Sequence, residues 1–550
     1  MRVKEISVER LIKQLKLVPM DTKQKHLFLS VSNGTERAKV KNVRGEILED
    51  CLDWLKQELA TKEEPHIRVD AVINIQEYSY AELMRHLSLV KRNNYFRTGI
   101  AFDRKFRTAF LGEEIMGSAL IRPSENHRVG FNNPELSFNR KNLEGYIKRK
   151  YNAPLQEKLK QRTFYLFETQ GFYFEDGNWI KLSSKPEQEG IRETNFGLLP
   201  KQIDHAITFG EDFLYRQIKD SGQFIYGYYP TYDYEITGYN SVRHFSSVYA
   251  LLEAQEYLKK TEELKRSEQA LDWGVDHLLF EKEGAQYVKE QMRSGISIKL
   301  GAQALAILAM AKFQTITGNN KYQGIITRLI QGIDDRFVND EGETTHILNE
   351  ELEPKKKFNI IYYDGEAVFS ILRGYAITKD ERHLQLAKKL FDRFVEKKYE
   401  RYHDHWLSYA TNEILLYLND KKYYEFGLKN AFENMNFIEF RDTAYPTLLE
   451  LVMAAIKMTD KLQETSYFKQ GEFTQFVSKI DFWRLRQVAI KRAEIEIEKG
   501  VMFPEMAMFM KRPDKIVNGF YTRHDKFRMR IDDQEHFLSG LINFYDYFYK

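Results

Sequence analysis

The sequence predicts a mainly α protein in which a smaller α+β domain precedes a closed array of six helical hairpins. Three observations support this fold class: the residue pattern changes near residue 198, short helix–turn–helix corners recur beyond that point, and the helices alternate between two kinds. A chain of 550 residues is also long enough for two or more domains. We place the α+β domain at residues 1–190 and the helical domain at residues 198–550.

The first 190 residues mix strand-like and helical segments. "HIRVDAVINI" (66–75) is rich in β-branched residues and predicts a strand, whereas "EILEDCLDWLKQELATK" (46–62) has apolar residues at helical spacing. "TFYLFETQGFYFEDGNWIKL" (163–182) is typical of a hairpin that turns at Asp176-Gly177. This half contains no recognisable catalytic motif.

Beyond residue 198 a short polar corner recurs between amphipathic helices. It is found in "TGNNKY" (317–322), "TKDERHL" (378–384) and "NDKKYY" (419–424), each with Asn or Asp, basic residues, and an aromatic residue or His. Asn and Asp favour the N-cap position, so one helix is expected to end before each corner and another to begin after it. The recurrence predicts an array of helical hairpins.

Helices on the two sides of these corners differ in character. "IKLGAQALAILAMAKF" (298–313) and "YPTLLELVMAAIKM" (445–458) are apolar nearly all round, as buried inner helices are, whereas "DERHLQLAKKLFDRFVEKK" (380–398) has the charged face of an outer helix. The earliest outer-type helix lacks a partner before it and the last inner helix lacks one after it, so the array is expected to close on itself. The inner helices should begin near Arg243, Lys299, Gly365, His405, Thr443 and His536, and the outer helices should occupy 200–219, 264–280, 320–335, 381–397, 421–433 and 474–498.

This organisation resembles the (α/α)6 toroid of six-hairpin glycosidases, which N-acylglucosamine 2-epimerase-like enzymes and unsaturated glucuronyl hydrolases share. The resemblance covers residues 198–550 and lies in the organisation of the helices, so it carries over no catalytic residue. It implies a carbohydrate-active protein with a glycan or sugar-derived substrate.

The residues that precede the inner helices are expected to form one rim, because in a closed ring those helices begin on the same face. All but the second of these segments are rich in charged residues and tyrosine. Helix N-termini carry partial positive charge and exposed amides, which favour an acidic or phosphate-bearing glycan. The segments are "GYNSVRHF" (238–245), "SGISIKLG" (294–301), "IIYYDGEAV" (360–368), "YHDHW" (402–406), "FRDTAYP" (440–446) and "FRMRIDDQEHF" (527–537).

Inverting glycoside hydrolysis is the leading functional hypothesis. It needs a carboxylic acid and a carboxylate on opposite sides of the scissile bond, about 6.5–9.5 Å apart. Gly365 is expected to let the backbone turn tightly between two acids, and Arg530 to lower the pKa of a neighbouring carboxylate. The candidate pairs are Asp364 or Glu366 against Asp404, Asp532 or Asp533, and the candidate substrate-binding residues are Arg243, His244, Tyr239, Tyr362, Tyr363, His403, Trp406 and Arg530.

Several alternatives remain open at this level. His405 and His536 are candidate catalytic residues of a sugar 2-epimerase or isomerase, which must remove and return a proton next to a carbonyl group. A non-catalytic glycan-binding or polysaccharide-assembly protein would use the same rim, with residues 1–190 docking a protein partner. Asp404 and His403 are equally well explained as helix caps.

Composition excludes several classes of function. The balance of 83 basic and 80 acidic residues gives no reason to expect a nucleic-acid partner, and the single cysteine, Cys51, excludes an intrachain disulfide framework and a multi-thiolate zinc site. No stretch reaches the 18 or so apolar residues of a membrane span, so a cytoplasmic protein is expected. We expect no metal and no cofactor, because neither conventional His spacing nor a nucleotide-binding motif is found.

The closed ring also makes a geometric prediction. Each of Arg243, Asp364, His405 and Asp532 lies at or beside the start of an inner helix, so these four residues are predicted to line one pocket.

Overall fold

The computed structural model describes residues 5–63, 65–123, 135–155, 159–184, 190–293, 295–469 and 475–550. The chain forms two compact units. The first comprises Met1–Asn195, Gly227–Ile236 and Glu498–Met529, and the second comprises Phe196–Tyr226, Thr237–Ile497 and Arg530–Lys550. Within the described ranges, no helix is both long enough and apolar enough to cross a membrane.

The first unit is built on an antiparallel sheet with the order β2-β1-β3-β8-β4-β5, in which β9 also pairs with β8. Its two longest strands pair from Ile67–Phe174 to Ser79–Thr163. The predicted hairpin is confirmed, because Asp176 and Gly177 adopt φ angles of 51° and 81° between β8 and β9. The strands are β1 Lys25–Ser32, β2 Lys39–Gly45, β3 His66–Ser79, β4 Gly99–Ala101, β5 Ala109–Phe110, β6 Ile121–Pro123, β7 Leu136–Phe138, β8 Thr163–Glu175 and β9 Asn178–Lys181.

Helices cover part of this sheet and form a core with it. The apolar residues Cys51, Leu52, Leu55 and Leu59 are the buried residues of the second helix, and they belong to one hydrophobic cluster with residues of β1 and β3. The helices of this unit in the N-terminal region are α1 Glu5–Lys16, α2 Leu48–Ala60, α3 Tyr80–Ser88, α4 Gly112–Gly117 and α5 Arg140–Tyr151. Two short helices, Pro504–Ala507 and Pro513–Ile516, belong to its late segment.

A late segment of the chain completes the first unit. The carboxylate of Glu505 is buried and accepts hydrogen bonds from Nε and Nη2 of Arg192 at 2.9 and 2.8 Å. The backbone carbonyl of Glu505 accepts from Nη1 of the buried Arg68 at 3.1 Å. Two cations of the N-terminal region therefore contact one residue, Glu505, that comes more than 300 positions later.

The second unit is mainly helical, and its helices confirm the predicted alternation. A small five-stranded antiparallel sheet interrupts them. The inner helices are α7 Ser241–Leu258, α9 Leu300–Thr317, α11 Tyr362–Thr378, α13 His405–Ile414, α16 Thr447–Gln463 and α18 Ile531–Tyr549. The outer helices are α6 Leu199–Arg216, α8 Leu264–Leu278, α10 Gln323–Phe337, α12 Glu381–Glu396, α14 Lys421–Phe432 and α17 Phe482–Gly500, and a short helix α15 lies at Met435–Phe440. The strands of the small sheet are Leu279–Lys282, Ala285–Met292, Gly295–Lys299, Ile347–Leu348 and Pro354–Lys356.

The inner helices contact one another in a closed circuit. Helix α7 packs against α9, α9 against α11, α11 against α13, α13 against α16, and α16 against α18. The circuit closes because α18 packs against α7, and α6 contacts both α7 and α18. These are the contacts that a ring of six helical hairpins requires.

Two of the predicted polar corners contain the expected Asp caps at helix N-termini. Asp380 accepts a hydrogen bond from the Arg382 amide at the start of α12, and Asp420 accepts one from the Lys422 amide at the start of α14, each at 3.0 Å. Gly318 ends α9 in a left-handed conformation with φ 69°. Such residues satisfy amides and carbonyls that have no partner within the helix.

Gly365 has a different role from the predicted one. It lies inside helix α11, where a tight turn is not needed, and the prediction of a turn is wrong. A Cβ atom at this position would lie 2.5 Å from the Leu407 amide nitrogen and 2.6 Å from the Trp406 carbonyl carbon. The glycine therefore allows the backbones of α11 and α13 to approach closely.

Candidate active site at the inner-helix N-termini

A cavity of about 150 Å³ lies at the N-terminal ends of α7, α11, α13 and α18. Asn240, which caps α7, forms one edge of it and accepts a hydrogen bond from the Arg243 amide at 3.2 Å. The predicted site residues that line it are Arg243, Tyr362, Tyr363, Glu366, Trp406, Asp532 and His536, and the other lining residues are Asn240, Val242, Ser246, Leu305, Ile360 and Glu535.

Asp532 is held by two arginines. Its Oδ2 atom accepts hydrogen bonds from Nε of Arg243 at 2.7 Å and from Nη2 of Arg530 at 2.9 Å. Arg243 also donates through Nη1 to the Tyr226 hydroxyl at 2.6 Å. Burial alone would raise the pKa of Asp532, but the two guanidinium groups outweigh it and hold that pKa below its ordinary value. This is the direction that the sequence predicts for a carboxylate beside Arg530.

Glu366 has the opposite electrostatic environment. It lies in α11 just after the first turn, is buried, and its Oε2 atom has no hydrogen-bond partner in the part of the chain that the structure describes. Burial raises its pKa well above the ordinary value, and the negative charge of Asp404 raises it further. Glu366 is therefore protonated under conditions in which Asp532 is ionised.

His536 and His405 lie side by side, with ring centroids 5.1 Å apart. His536 contacts Glu450 through Nδ1 at 3.0 Å and lies 3.3 Å from Glu535 through Nε2. Burial would lower the pKa of His536, but Glu535 and Glu450 raise it to about 10. Burial lowers the pKa of His405 to about 3. His405 lies outside the cavity lining, behind His536.

Four predicted residues on these segments are used in structural contacts. Asp404 caps α13 by accepting from the Trp406 and Leu407 amides, both at 3.1 Å, and Asp533 accepts from the Arg530 amide at 2.9 Å. Asp364 accepts from the Thr344 hydroxyl at 2.5 Å and lies 3.2 Å from His346 Nε2. His403 Nδ1 lies 2.9 Å from the Asn430 carbonyl. None of the four lines the cavity.

Tyr239 and His244 also lie outside the cavity lining. The Tyr239 hydroxyl accepts from the Phe224 amide at 3.2 Å and lies 2.8 Å from His244 Nδ1. His244 Nε2 is 3.0 Å from the Ala270 carbonyl, and burial lowers the pKa of this imidazole to about 4. The pair links α7 to α8 and to the preceding loop. The prediction that Arg243, Asp364, His405 and Asp532 line one pocket is wrong for two of them: Arg243 and Asp532 line this cavity, whereas Asp364 and His405 do not.

Sequence analysis did not select Glu450, Glu535, Tyr409 or His346. Glu450 is fully buried on α16, where it accepts a hydrogen bond from the Tyr409 hydroxyl at 2.9 Å. The available signal was a single acidic residue in the apolar segment "YPTLLELVMAAIKM", since an unpaired charge in such a helix is costly.

No known protein family and no curated protein matches this chain. Among solved structures, the chain is similar to a cellobiose 2-epimerase from Bacillus thermoamylovorans B4167, with 12% identity over 64% of this chain and 100% of the other, and a TM-score of 0.48. It is also similar to an alpha-1,6-mannanase from Salegentibacter sp. HEL1_6 (11% identity, 63% and 98% covered, TM-score 0.43) and to an unsaturated glucuronyl hydrolase specific for heparin (10% identity, 64% and 98% covered, TM-score 0.43). These enzymes are six-hairpin glycosidase-like proteins, the group that the sequence organisation resembles. At these values the similarity assigns no activity to the chain.

Proposed function

We propose that this protein is a carbohydrate-active enzyme with an (α/α)6 toroid, and that it hydrolyses a glycosidic bond in the cavity with inversion at the anomeric carbon. Glu366 is the general acid and Asp532 the general base. One observation carries this proposal: two carboxyl groups on different inner helices line one cavity, and their surroundings shift their pKa values in opposite directions.

The two groups have complementary tasks. Protonated Glu366 donates its proton to the glycosidic oxygen as the bond between that oxygen and the anomeric carbon breaks. Ionised Asp532 removes a proton from a water molecule, whose oxygen forms the new bond on the opposite face of the sugar. Glu366 ends ionised and Asp532 protonated, and proton exchange with solvent restores both groups.

The cavity lining supports a sugar that carries a negative charge. Tyr362, Tyr363 and Trp406 offer aromatic faces against which a sugar ring can pack. The side chain of Arg243 is 32% exposed, so its guanidinium group can contact a ligand as well as Asp532. A guanidinium group binds carboxylate or phosphate through paired hydrogen bonds. We therefore expect a uronic acid or a phosphorylated sugar at the scissile bond.

Hydrolysis of acidic oligosaccharides tests the proposal. With a panel of uronate-containing and phosphate-bearing glycans, Glu366→Gln and Asp532→Asn should each lower kcat by about 10²–10⁴-fold. Asp364→Asn is the matched control, since Asp364 lies on the same helical turn as Glu366 but outside the cavity lining. NMR of the first product should show the inverted anomer. Full activity of Glu366→Gln would overturn the proposal.

Sugar epimerisation is the second candidate. It is favoured by the pairing of His536, which lines the cavity, with His405 behind it. This reaction would exchange a proton next to the carbonyl of a reducing sugar with deuterated water, and His536→Gln would abolish the exchange. Absence of exchange across a panel of reducing sugars would dismiss it. If the protein only binds glycans, the unchanged protein should show no turnover. The Glu366→Gln variant should then bind the glycan as tightly as the unchanged protein does.

A further inference from the structure

We infer that His405, Glu450 and His536 form a binding site for a divalent transition-metal ion such as Zn²⁺, directly behind the candidate active site. The three residues come from the inner helices α13, α16 and α18. Each offers one ligand atom, and the three atoms lie within 4.8 Å of one another. Two histidines and one glutamate are the ligand set of a group of catalytic zinc sites.

The two histidine nitrogens lie close to the same carboxylate oxygen of Glu450. Nδ1 of His536 is 3.0 Å from Oε2 of Glu450, and Nε2 of His405 is 3.8 Å from the same oxygen. Such separations suit an ion bound at about 2.0–2.2 Å from each ligand atom. His405 Nε2 is buried and has no hydrogen-bond partner among the described residues, although its side chain is only 2% exposed. An unpartnered buried nitrogen is costly, and a bound ion would satisfy it.

Each of the three ligand side chains also contacts a second polar group through its other nitrogen or oxygen atom. Nδ1 of His405 lies 3.3 Å from Oδ1 of Asp404, and Nε2 of His536 lies 3.3 Å from Oε2 of Glu535. The Tyr409 hydroxyl donates to Oε1 of Glu450 at 2.9 Å. Metal-binding histidines characteristically have a carboxylate at the second ring nitrogen, which fixes the tautomer and the ring orientation. All three ligands therefore have the outer contacts that metal sites use.

The site has access to the candidate active site through His536, whose side chain is 22% exposed and lines the cavity. Three protein ligands leave a fourth position of a tetrahedral ion open. This inference goes beyond the proposed hydrolysis, because neither Glu366 nor Asp532 is a ligand. It also competes with epimerisation, since a bound ion would occupy the nitrogens that the histidine pair needs for proton transfer.

Cobalt binding tests the inference without an activity assay. Full-length protein is stripped with a chelator, titrated with Co²⁺ and followed by visible absorption, and Zn²⁺ content is measured by elemental analysis after gel filtration. We expect about one ion per chain and visible bands of a four- or five-coordinate ion. His405→Gln and Glu450→Gln should abolish both. His383→Gln, at another buried histidine of the same unit, should bind as the unchanged protein does.

A further variant keeps the test decisive if these substitutions disturb folding. Tyr409→Phe removes only the hydroxyl that orients Glu450, and it should weaken Co²⁺ binding by about 10–100-fold. The inference is overturned if the unchanged protein takes up no stoichiometric Co²⁺ or Zn²⁺, or if Glu450→Gln and Tyr409→Phe bind the ion as tightly as it does. Either result leaves the roles of Glu366 and Asp532 intact.

Discussion

Glu366 and Asp532 illustrate how the surroundings of two carboxyl groups in one cavity give them different protonation states. The pKa of Asp532 lies below its ordinary value and that of Glu366 lies well above it. The pH profile of kcat/KM for hydrolysis should therefore be bell-shaped. Activity should be lost at high pH, where Glu366 of the substrate-free enzyme ionises, and at low pH, where Asp532 is protonated. A profile that falls already as pH rises through about 4.5 would contradict this, since that is the pKa of an ordinary glutamic acid.

Glu366 should also make stability depend on pH. Its pKa is higher in the folded state than in the unfolded chain, so its contribution to stability is fully present below the unfolded pKa and is lost as pH rises through the folded pKa. Glu366→Gln cannot ionise. The free energy of unfolding should therefore fall less between about pH 5 and about pH 8 in this variant than in the unchanged protein. Denaturant titrations at the two pH values measure the free energy of unfolding of each protein. An equal change in that free energy between the two pH values in both proteins would contradict the prediction.

Asp404 is the residue at which helix capping and catalysis can be separated. Asp404→Ala removes both capping bonds at the start of α13 and should lower the free energy of unfolding by about 1–2 kcal/mol. Asp404→Asn retains a capping oxygen, so it should stay close to full stability, and loss of its charge should only move the alkaline limit of the hydrolytic activity to lower pH, because that charge helps to raise the pKa of Glu366. Thermal unfolding and the oligosaccharide assay test both variants. Loss of activity in a stable Asp404→Asn protein would show that its charge takes part in catalysis.

At the scale of single elements, the backbones of α11 and α13 approach each other closely at Gly365. Gly365→Ala would place a methyl group 2.5 Å from a backbone nitrogen of α13, so the helices must separate, at a cost of about 1–3 kcal/mol. Gly324→Ala on the outer helix α10 is the matched control, because its nearest neighbour is the flexible Arg328 side chain at 3.5 Å. That control should be neutral or gain up to about 1 kcal/mol. Chemical denaturation compares the two, and equal stabilities would contradict the packing argument.

Helix positions were predictable because local patterns determine them. The alternation of apolar and one-sided helices identified inner and outer elements, and Asp380 and Asp420 marked two of the corners. The role of Gly365 was misjudged because glycine permits both a tight turn and a close helix contact, and only the partner helix decides which applies. A sequence pattern contains no information about that partner.

The candidate site was predictable in outline and not in detail. Arg243, Glu366 and Asp532 were found because a closed ring brings its inner-helix N-termini together. Glu450 was missed because it lies in the first turn of α16, beyond the rim segment that precedes that helix. Asp404 could not be distinguished from a cavity residue, since helix capping and catalysis select the same residue types at the same positions. Asp364 could not be distinguished either, because its partners Thr344 and His346 lie on a distant part of the sequence.

At the scale of the whole molecule, the first unit should not fold from its N-terminal part alone. A fragment of residues 1–195 retains Arg68 and Arg192 but lacks Glu505, which leaves two mostly buried guanidinium groups without that partner. Breaking such a pair from one side costs about 3–5 kcal/mol. The fragment should show no cooperative thermal transition by circular dichroism. The same fragment joined to residues 498–529 through a flexible linker is the control and should regain one, whereas a cooperative transition in both would contradict the prediction.

The dispersal of the first unit along the sequence also has a consequence for its synthesis. Arg192 leaves the ribosome 313 residues before Glu505, which at about 5–20 residues per second corresponds to roughly 15–60 s. Throughout that interval the nascent sheet lacks one of its buried anions, while most of the helical hairpins are still being translated. A chaperone that binds exposed strands is therefore expected on the growing chain, and a ribosome that stalls before residue 505 releases a polypeptide in which neither unit is complete. We therefore expect a stall at almost any point of the message to yield an incompletely folded product.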